Sequence, residues 1–201
     1  MKNALATALA QDPFYRAVSV AAATETARIE LLAGYFSLAI AEASAVGEVQ
    51  RADPDGAALW ITPEAAPQDR AFHAAQRRQA LQALLGPVGF SNFVAICEAM
   101  EHQLPPALAD AWYLSILGVR PEARGQGLAQ RLLAPTLARA DACGAVCYLE
   151  TFNPLSLPFY RRLGFTDETP CREPVTARDY WLLARPARSP RRASTSNGLS
   201  R

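Results

Sequence analysis

The sequence predicts an α/β fold of the α+β type, in which helices flank a mixed and mostly antiparallel central sheet. Two observations carry this prediction. A β-hairpin pattern lies early in the chain, over 46–61, and an apolar strand pattern over 112–119 leads through a glycine-containing turn into an amphipathic helix over 128–142. An antiparallel start followed by a strand, a turn and a helix indicates a sheet of mixed direction with helices packed on it.

The N-terminal part of the chain predicts two helices before the hairpin. Apolar residues recur at helical spacing over 3–10 and again over 24–45. The hairpin over 46–61 turns at residues 53–56, Asp-Pro-Asp-Gly, where we expect Gly56 to adopt the left-handed conformation. These elements place two antiparallel strands at the start of the sheet.

A long insertion separates the hairpin from the strand over 112–119. Helices are predicted over 67–85 and 91–103, and Gly86-Pro87-Val88-Gly89 is the break between them. The second of these helices carries three candidate contacts for an acceptor substrate: Glu98, Glu101 and His102. A solvated helix face is the commoner role of such residues.

The C-terminal part predicts a short strand over 146–151, a helix containing 158–165 and a closing strand at 180–183. A second strand, between this helix and the closing strand, pairs with the latter. Residues 185–201 are mainly Arg, Ser and Pro with almost no large apolar residue. We therefore expect a single domain over 1–184 and a disordered tail over 185–201.

Composition and charge exclude several classes of function. The chain has 201 residues and a formal net charge of +1, which provides no general electrostatic reason to expect nucleic acid as a partner. Its apolar runs are read as too short or too interrupted to span a membrane, and no signal peptide is recognised, so we expect no membrane partner and a cytoplasmic location. The four cysteines form no Cys-x-x-Cys pair and lie far from the two histidines, so no metal is expected.

The glycine-containing turn before the helix over 128–142 predicts a phosphate site. Gly125 and Gly127 permit backbone angles and close approaches that a side chain would block. The first amides of the helix have no partners inside it, so together with Arg124 they form a site for a phosphate or pyrophosphate. A structural turn that binds nothing is the alternative.

Two familiar phosphate loops do not fit this turn. A Walker-type loop needs Lys and then Ser or Thr after the last glycine, where Leu128 and Ala129 stand. A dinucleotide fingerprint needs three spaced glycines near the start of the domain, whereas only two are present here and they lie past the middle of the chain. The remaining pattern is Arg-x-x-Gly-x-Ala at Arg124, Gly127 and Ala129.

This pattern resembles the coenzyme A pyrophosphate loop of the GNAT superfamily of N-acetyltransferases. The later order of a strand, Asn153, a helix, Phe159-Tyr160 and Gly164-Phe165 is similar to the end of that family's cofactor half. The resemblance extends over most of the chain, from about 12 to 184, and is nearest to the branch that includes puromycin N-acetyltransferase. It implies an acetyltransferase that uses acetyl-CoA as co-substrate.

The resemblance also implies roles for individual residues. The pantetheine arm of acetyl-CoA would pair with the strand over 112–119 like an added β-strand. Tyr160 would be the general acid toward the leaving thiolate, while a half-buried core aromatic is its alternative role. The implied cofactor contacts are Leu117, Val119, Arg124, Gly125, Gln126, Gly127, Leu128, Ala129 and Asn153.

Two features depart from the family pattern. No pattern for the family's first strand is found before the helix over 3–10, so either the given sequence starts late or the sheet lacks its usual edge strand. In the second case the next strand has an open edge at which a homodimer would form. The strand over 112–119 contains no carboxylate that could be a general base. Glu150, at the end of the next strand, is the nearest substitute, and a structural partner for an arginine is its alternative role.

The implied function is transfer of an acetyl group to the amine of a small molecule by direct attack in a ternary complex. Protein or peptide N-acetylation is an alternative within the same chemistry. A non-catalytic acyl-CoA-binding regulatory module is an alternative of another class, favoured by the missing strand and the unassigned base.

Overall fold

The computed structural model describes residues 1–187 and arranges them as one sheet with helices on both faces. The helices are α1 (Lys2–Leu9), α2 (Pro13–Val18), α3 (Glu25–Val46), α4 (Pro67–Gln103), α5 (Leu128–Cys143) and α6 (Leu157–Arg162). The strands are β1 (Gly47–Ala52), β2 (Gly56–Ile61), β3 (Trp112–Val119), β4 (Cys147–Thr151), β5 (Asp167–Glu173) and β6 (Arg178–Arg185). From residue 188 onward the predicted tail lies outside the described residues.

The sheet has the order β1-β2-β3-β4-β6-β5. Each neighbouring pair is antiparallel except β3 and β4, which are parallel. The mixed, mostly antiparallel sheet is therefore confirmed. Within the described residues no strand precedes β1, which forms one edge of the sheet.

The sheet carries a hydrophobic core on each face. On one face α1 and α3 pack over β2 and β3 and α4 packs against α3, and large buried residues there are Leu5, Leu32, Phe36, Leu59, Leu81 and Ile116. On the other face α5 and α6 cover the sheet, and large buried residues there are Trp60, Leu114, Leu133, Leu149, Phe165 and Leu183. The two cores hold β3 and β4 at the centre of the molecule, where the predicted site lies.

A short helix, α2, was missed in the sequence. The Asp12 side chain accepts the backbone N–H of Phe14 at 2.9 Å, and Pro13 occupies the first helical position. Asp12 and Pro13 lie just beyond the end of α1 at Leu9. The same two residues also start the next helix, because an N-cap acid and a proline at the first turn favour a helix N-terminus.

The prediction that Gly56 adopts the left-handed conformation is wrong. Gly56 is the first residue of β2 and pairs with Val119 of β3. A Cβ atom built on it would lie 2.5 Å from the carbonyl oxygen of Gly118. The position therefore needs glycine because two strands approach closely, and the turn is held by Asp55, whose carbonyl accepts the N–H of Arg120 at 2.8 Å.

The helical insertion has the predicted break. The backbone of Gly86 has φ 68° and ψ 176°, so α4 consists of two helical segments that meet at this residue. Pro87 follows, and it lacks the N–H that a continuous helix would use there. The insertion packs against α2 and α3 and so forms a wall beside the centre of the sheet.

Two helices of the described chain, α3 and α4, are long and apolar enough to cross a membrane by length and composition alone. The statement that every apolar run is too short or interrupted is therefore wrong for α3. In the structure α3 contributes Leu32, Phe36 and Ala39 to the core, and α4 is broken at Gly86. In the structure 33% of the apolar stretch of α3 and 28% of that of α4 is buried, and the absence of a membrane partner stays a prediction.

The last strand extends one residue beyond the predicted domain boundary at 184. Arg185 belongs to β6 and is 2% exposed. Its Nε donates to the carbonyl of Leu163 at 2.9 Å, and its Nη2 donates to the Asp141 carboxylate at 2.8 Å. The first residue assigned to the tail is thus a buried part of the domain.

Candidate active site

The site begins where β3 and β4 separate. The two strands pair over only three positions, from Trp112–Cys147 to Leu114–Leu149, although β3 continues to Val119. Beyond Leu114 one side of the β3 backbone has no neighbouring strand among the described residues. This fork leaves peptide groups available to a ligand that pairs as an added strand.

A bulge accompanies the fork. Leu59 of β2 faces Ile116, and the next residue, Trp60, faces Leu114, so Ser115 has no opposing residue on β2. The Ser115 hydroxyl donates to the carbonyl of Leu59 at 3.1 Å. An extra residue of this kind bends and twists a strand. The bulge therefore turns the second half of β3 away from β4, and the half-buried Leu117 and Val119 lie on that half.

The glycine turn has the backbone that the sequence predicts. Gly125 has φ 77° and Gly127 has φ 70°, and Gly127 caps α5 in the left-handed conformation. Within residues 1–187 no side chain caps the start of α5, so the first amides, beginning with Leu128 and Ala129, lack a side-chain acceptor. A Cβ built on Gly125 would meet no atom within 4 Å. Open space in front of free amides at a helix N-terminus fits a pyrophosphate.

Two arginines lie at this turn, and the sequence analysis recognised one of them. Arg124 donates from Nε to the Val119 carbonyl at 3.1 Å and from Nη2 to the Ala8 carbonyl at 3.2 Å, which ties the turn to β3 and α1. Arg131, one turn into α5, donates from Nη1 to the Gln126 carbonyl at 2.7 Å. The sequence signal for Arg131 is its position four residues after Gly127, because a side chain one turn into a helix lies on the same face as the first residue and can reach the N-terminal end.

Asn153 follows β4 and starts a short 3-10 turn at Pro154–Ser156. Its side-chain oxygen accepts the Leu155 N–H at 3.1 Å, and its own N–H donates to the Thr151 hydroxyl at 3.2 Å. These two bonds use the side-chain oxygen and the backbone N–H of Asn153, and they orient its side-chain Nδ2 as a donor. The geometry permits the predicted contact with the pantetheine arm, which stays a prediction.

A cavity of about 430 Å³ lies at the fork. Its floor comes from the central strands and includes Tyr113, Leu117, Tyr148 and Glu150. Its walls come from the N-terminal helices and the insertion and include Phe14, Tyr15, Tyr35, Phe93 and Glu101. The structure therefore brings together strand ends and helices that are far apart in the sequence.

Glu150 lies in the lining of this cavity. The Tyr113 hydroxyl donates to its Oε2 at 2.9 Å, and within residues 1–187 no arginine pairs with it. Burial raises the pKa of the Glu150 carboxyl above its usual value, while the hydrogen bond from Tyr113 acts in the opposite direction. A carboxylate with a raised pKa at the floor of a cavity is suited to take a proton from an amine.

Tyr160 lines the same cavity from α6. Its ring packs edge-on against Phe159 and Phe165, and the residue is 8% exposed. Burial raises the pKa of its phenol well above the ordinary value, so the hydroxyl keeps its proton at neutral pH. The structure thus places a protonated donor, Tyr160, and a carboxylate, Glu150, in one cavity.

The acceptor side of the cavity contains residues that sequence reasoning missed. Arg77 of α4 donates to Glu42 at 2.7 Å and to the Tyr35 hydroxyl at 2.8 Å, so its charge is paired inside the wall. Asp12 also lines the cavity, and burial raises the pKa of its carboxyl to about 6. Of the three candidates on the second helical segment of α4, Glu101 lines the cavity.

Among the described residues no group of three or more His, Cys, Asp or Glu side chains stands together as a metal site would require. Within the same residues the four cysteines are free, and Cys147 is buried in β4.

A comparison with known families identifies the fold and its chemistry. The model of the Acetyltransferase (GNAT) family matches residues 50–165, more than half of the chain. This chain belongs to the GNAT acetyltransferase family. It is therefore an acyltransferase, and acetyl-CoA is the co-substrate that the family uses. The matched residues span β2, the insertion, the fork, the glycine turn and Tyr160.

Solved structures show the same fold at low sequence identity. A Corynebacterium glutamicum protein, named histone acetyltransferase HPA2 and related acetyltransferase, is 22% identical with a TM-score of 0.61, over 94% of this chain and 91% of that one. An N-acetyltransferase from Staphylococcus aureus Mu50 is 14% identical with a TM-score of 0.52, over 89% and 94%. Arylalkylamine N-acetyltransferase 2 from Aedes aegypti is 13% identical with a TM-score of 0.52, over 92% and 94%.

Proposed function

We propose that this GNAT family member transfers an acetyl group from acetyl-CoA to the amine of a small molecule, by direct attack in a ternary complex. One observation carries the proposal. Glu150 and Tyr160, a partly buried carboxylate and a buried phenol, line one cavity at the point where β3 and β4 separate. Such a pair supplies a proton acceptor for the amine and a proton donor for the leaving thiolate.

The size and lining of the cavity favour a small acceptor. A volume of about 430 Å³ lies within the range of small-molecule sites, and helices α2 and α4 close the acceptor side. Phe14, Tyr15, Tyr35 and Phe93 form a cluster of edge-to-face aromatic contacts on that side. This cluster supports an acceptor with an apolar or aromatic body.

The charges of the cavity favour a cationic amine. Three carboxylic acids, Asp12, Glu101 and Glu150, line it together with one cation, Arg77. The charge of Arg77 is already balanced by Glu42 in the wall. An excess of acidic groups in a confined site raises the local concentration of an ammonium ion and supports its approach to Glu150.

The residues of this chain divide the reaction between them. Acetyl-CoA supplies the activated thioester. The free backbone amides at the start of α5, beginning with Leu128 and Ala129, hold its pyrophosphate. The free side of β3 at Leu117 and Val119 pairs with its pantetheine arm. A backbone amide near Leu117 stabilises the negative charge that develops on the acetyl oxygen.

Proton transfer completes the cycle. Glu150 takes a proton from the acceptor ammonium, directly or through a water molecule, so that the neutral amine attacks the thioester carbon. The tetrahedral intermediate then collapses with cleavage of the C–S bond, and Tyr160 gives its proton to the departing thiolate. Tyr160 is reprotonated by the proton that the nitrogen loses as the amide forms, and Glu150 releases its proton to solvent. Holding both substrates at the fork contributes a large share of the rate, on the order of 7 kcal/mol of barrier or more.

Other features of the proposal come from the resemblance and the sheet edge. Similarity to the branch of puromycin N-acetyltransferase supports a small-molecule acceptor, although puromycin itself is not carried over. The open edge of β1 supports a homodimer as one possible assembly. The cytoplasmic location stays a prediction.

The test has two stages. Calorimetric titration with acetyl-CoA measures binding, and free thiol release is then followed with a panel of arylalkylamines, aliphatic diamines, amino acids, histone-type peptides and free N-terminal peptides. We expect release with small cationic amines and little with peptides. Release with peptides alone would assign protein acetylation, which the names of some similar structures suggest for those proteins. Binding with no release from any amine would support the regulatory module.

A further inference from the structure

We propose that Tyr113 is the positioning residue of Glu150: its hydroxyl holds Oε2 and leaves Oε1 to exchange the proton with the acceptor amine. The inference rests on the proposed function, because it takes Glu150 as the base. It adds a residue that neither the sequence analysis nor the family resemblance singles out. Tyr113 acts here through Glu150 and is not itself a catalytic residue.

The register of β3 and β4 brings the two residues together. Tyr113 of β3 is the Cα partner of Tyr148 of β4, and their rings stack with centroids 4.6 Å apart and planes at 14°. Glu150 lies two residues after Tyr148, so both side chains are on the same face of β4. The stack fixes the plane of the Tyr113 ring and directs its hydroxyl to Oε2 at 2.9 Å.

The direction of this hydrogen bond is set by burial. Burial raises the pKa of the Tyr113 phenol well above its ordinary value, so the group keeps its proton over the whole working range of an enzyme. A carboxylate only accepts, and Tyr113 therefore always donates. The donated bond stabilises the charged form of Glu150 and opposes the effect of burial.

Other titratable groups face Glu150 without forming a hydrogen bond to it. Tyr148 on its own strand and Tyr180 on β6 are phenols whose pKa values burial raises. Burial raises the pKa of the Cys97 thiol on α4 to about 12, so this group is neutral. Glu101 on α4 is a carboxylate that lines the same cavity. In the part of the chain that the structure describes, Tyr113 is the group whose hydrogen bond orients Glu150.

The test compares two tyrosines that share one ring stack. Tyr113→Phe keeps the ring and removes the donor to Glu150, whereas Tyr148→Phe keeps the ring and removes a hydroxyl that makes no hydrogen bond to Glu150. Glutamate labelled with ¹³C at the side-chain carboxyl is titrated by NMR, and the Glu150 signal is assigned by its loss in Glu150→Gln. Steady-state kcat and KM are measured with the best amine of the panel.

In Tyr113→Phe we expect the pKa of Glu150 to rise by about 1 to 2 units, because a hydrogen bond to a charged group is lost. We also expect a fall in kcat of about tenfold with an unchanged KM for acetyl-CoA. In Tyr148→Phe the pKa of Glu150 should stay where it is in the unmodified enzyme. Site-specific 3-fluorotyrosine at 113, a stronger donor, should lower it.

Two outcomes overturn the inference. An unchanged pKa of Glu150 in Tyr113→Phe would show that the hydrogen bond does not affect the carboxylate. A raised pKa of Glu150 with an unchanged kcat would show that Tyr113 does not position the base. A different result tests the base itself: full kcat in Glu150→Gln removes Glu150 from the proposed mechanism, whatever the two tyrosine variants do. The failure of this inference and the failure of the proposed function are thus separate observations.

Discussion

Arg185, near the end of β6, forms a two-point ion pair with Asp141, near the end of α5. One guanidinium nitrogen lies 2.7 Å from Oδ1, and a second donates to Oδ2 at 2.8 Å. The arginine is 2% exposed, whereas the Asp141 side chain is 33% exposed. The pair joins the last strand to the helix that begins at the glycine turn.

Loss of this arginine should destabilise the domain. We expect Arg185→Met to lower the free energy of unfolding by about 2 to 4 kcal/mol, because it removes the buried guanidinium that bonds the Asp141 carboxylate and the Leu163 carbonyl. Arg172→Met is the matched control, since Arg172 pairs with Asp179 at an exposed position and should cost less than about 1 kcal/mol. Urea unfolding measures both. Equal losses in the free energy of unfolding would mean that the buried pair stabilises the domain no more than the exposed pair does.

The role of Gly127 in the glycine turn can be tested against Gly144, a matched glycine at the other end of α5. Gly127 and Gly144 flank α5, with φ of 70° and 67°, so glutamate at either position carries a similar strain of about 1 to 2 kcal/mol. At 127 the new carboxylate also occupies the anion site. We expect Gly127→Glu to weaken acetyl-CoA binding by at least about 100-fold, or about 3 kcal/mol, and Gly144→Glu to leave the affinity nearly unchanged. Calorimetry distinguishes them, and equal affinities contradict the assignment of the loop.

The role of Tyr160 is separable from its packing. Tyr160→Phe keeps the edge-on contacts with Phe159 and Phe165 and removes the proton donor. We expect acetyl-CoA affinity to be retained and kcat to fall by about 100-fold, because the departing thiolate loses its proton donor. A stopped assay of thiol release gives kcat. The same kcat in both proteins would leave Tyr160 as a core aromatic only.

The stability of the domain should depend on pH through Asp12. Burial raises its pKa from 3.8 to about 6, so the folded protein holds this proton more tightly than the unfolded chain does. The free energy of unfolding therefore falls as pH rises from about 4 to about 6, because the unfolded state then binds fewer protons than the folded state.

Asparagine at this position keeps the N-cap of α2 and does not titrate. In Asp12→Asn we expect the free energy of unfolding to decrease less between pH 4 and pH 6 than in the unmodified protein, by up to about 3 kcal/mol. Asp110→Asn, at an exposed position, is the control and should follow the unmodified protein. Chemical unfolding at several pH values gives the comparison, and parallel curves for Asp12→Asn and the unmodified protein would contradict the prediction.

The cofactor half was predictable because its signals are local. Proline and glycine mark the turn between β3 and α5, and the predicted strand over 112–119 matches Trp112–Val119 residue for residue. Apolar spacing placed α5 to within one residue at its end. Such signals need no knowledge of what the segment packs against.

The acceptor side was not predictable because its residues meet only in three dimensions. Tyr113 and Glu150 are 37 positions apart, and their hydrogen bond depends on a three-residue parallel register that periodicity does not specify. The aromatic cluster combines residues from α2, α3 and α4. The role of Gly56 also depends on a partner, the Gly118 carbonyl, that only the strand pairing brings near.

The wall of the cavity and the fork come from different parts of the chain. The insertion over 67–103 contributes Arg77, Phe93 and Glu101, whereas the groups proposed for thioester handling lie between Leu117 and Tyr160. Substitutions confined to the insertion can therefore alter which amine is accepted while the bound thioester keeps its surroundings. A chimaeric enzyme that carries the insertion of a relative is therefore expected to change its acceptor preference, while α2 and α3 keep their own part of the acceptor wall.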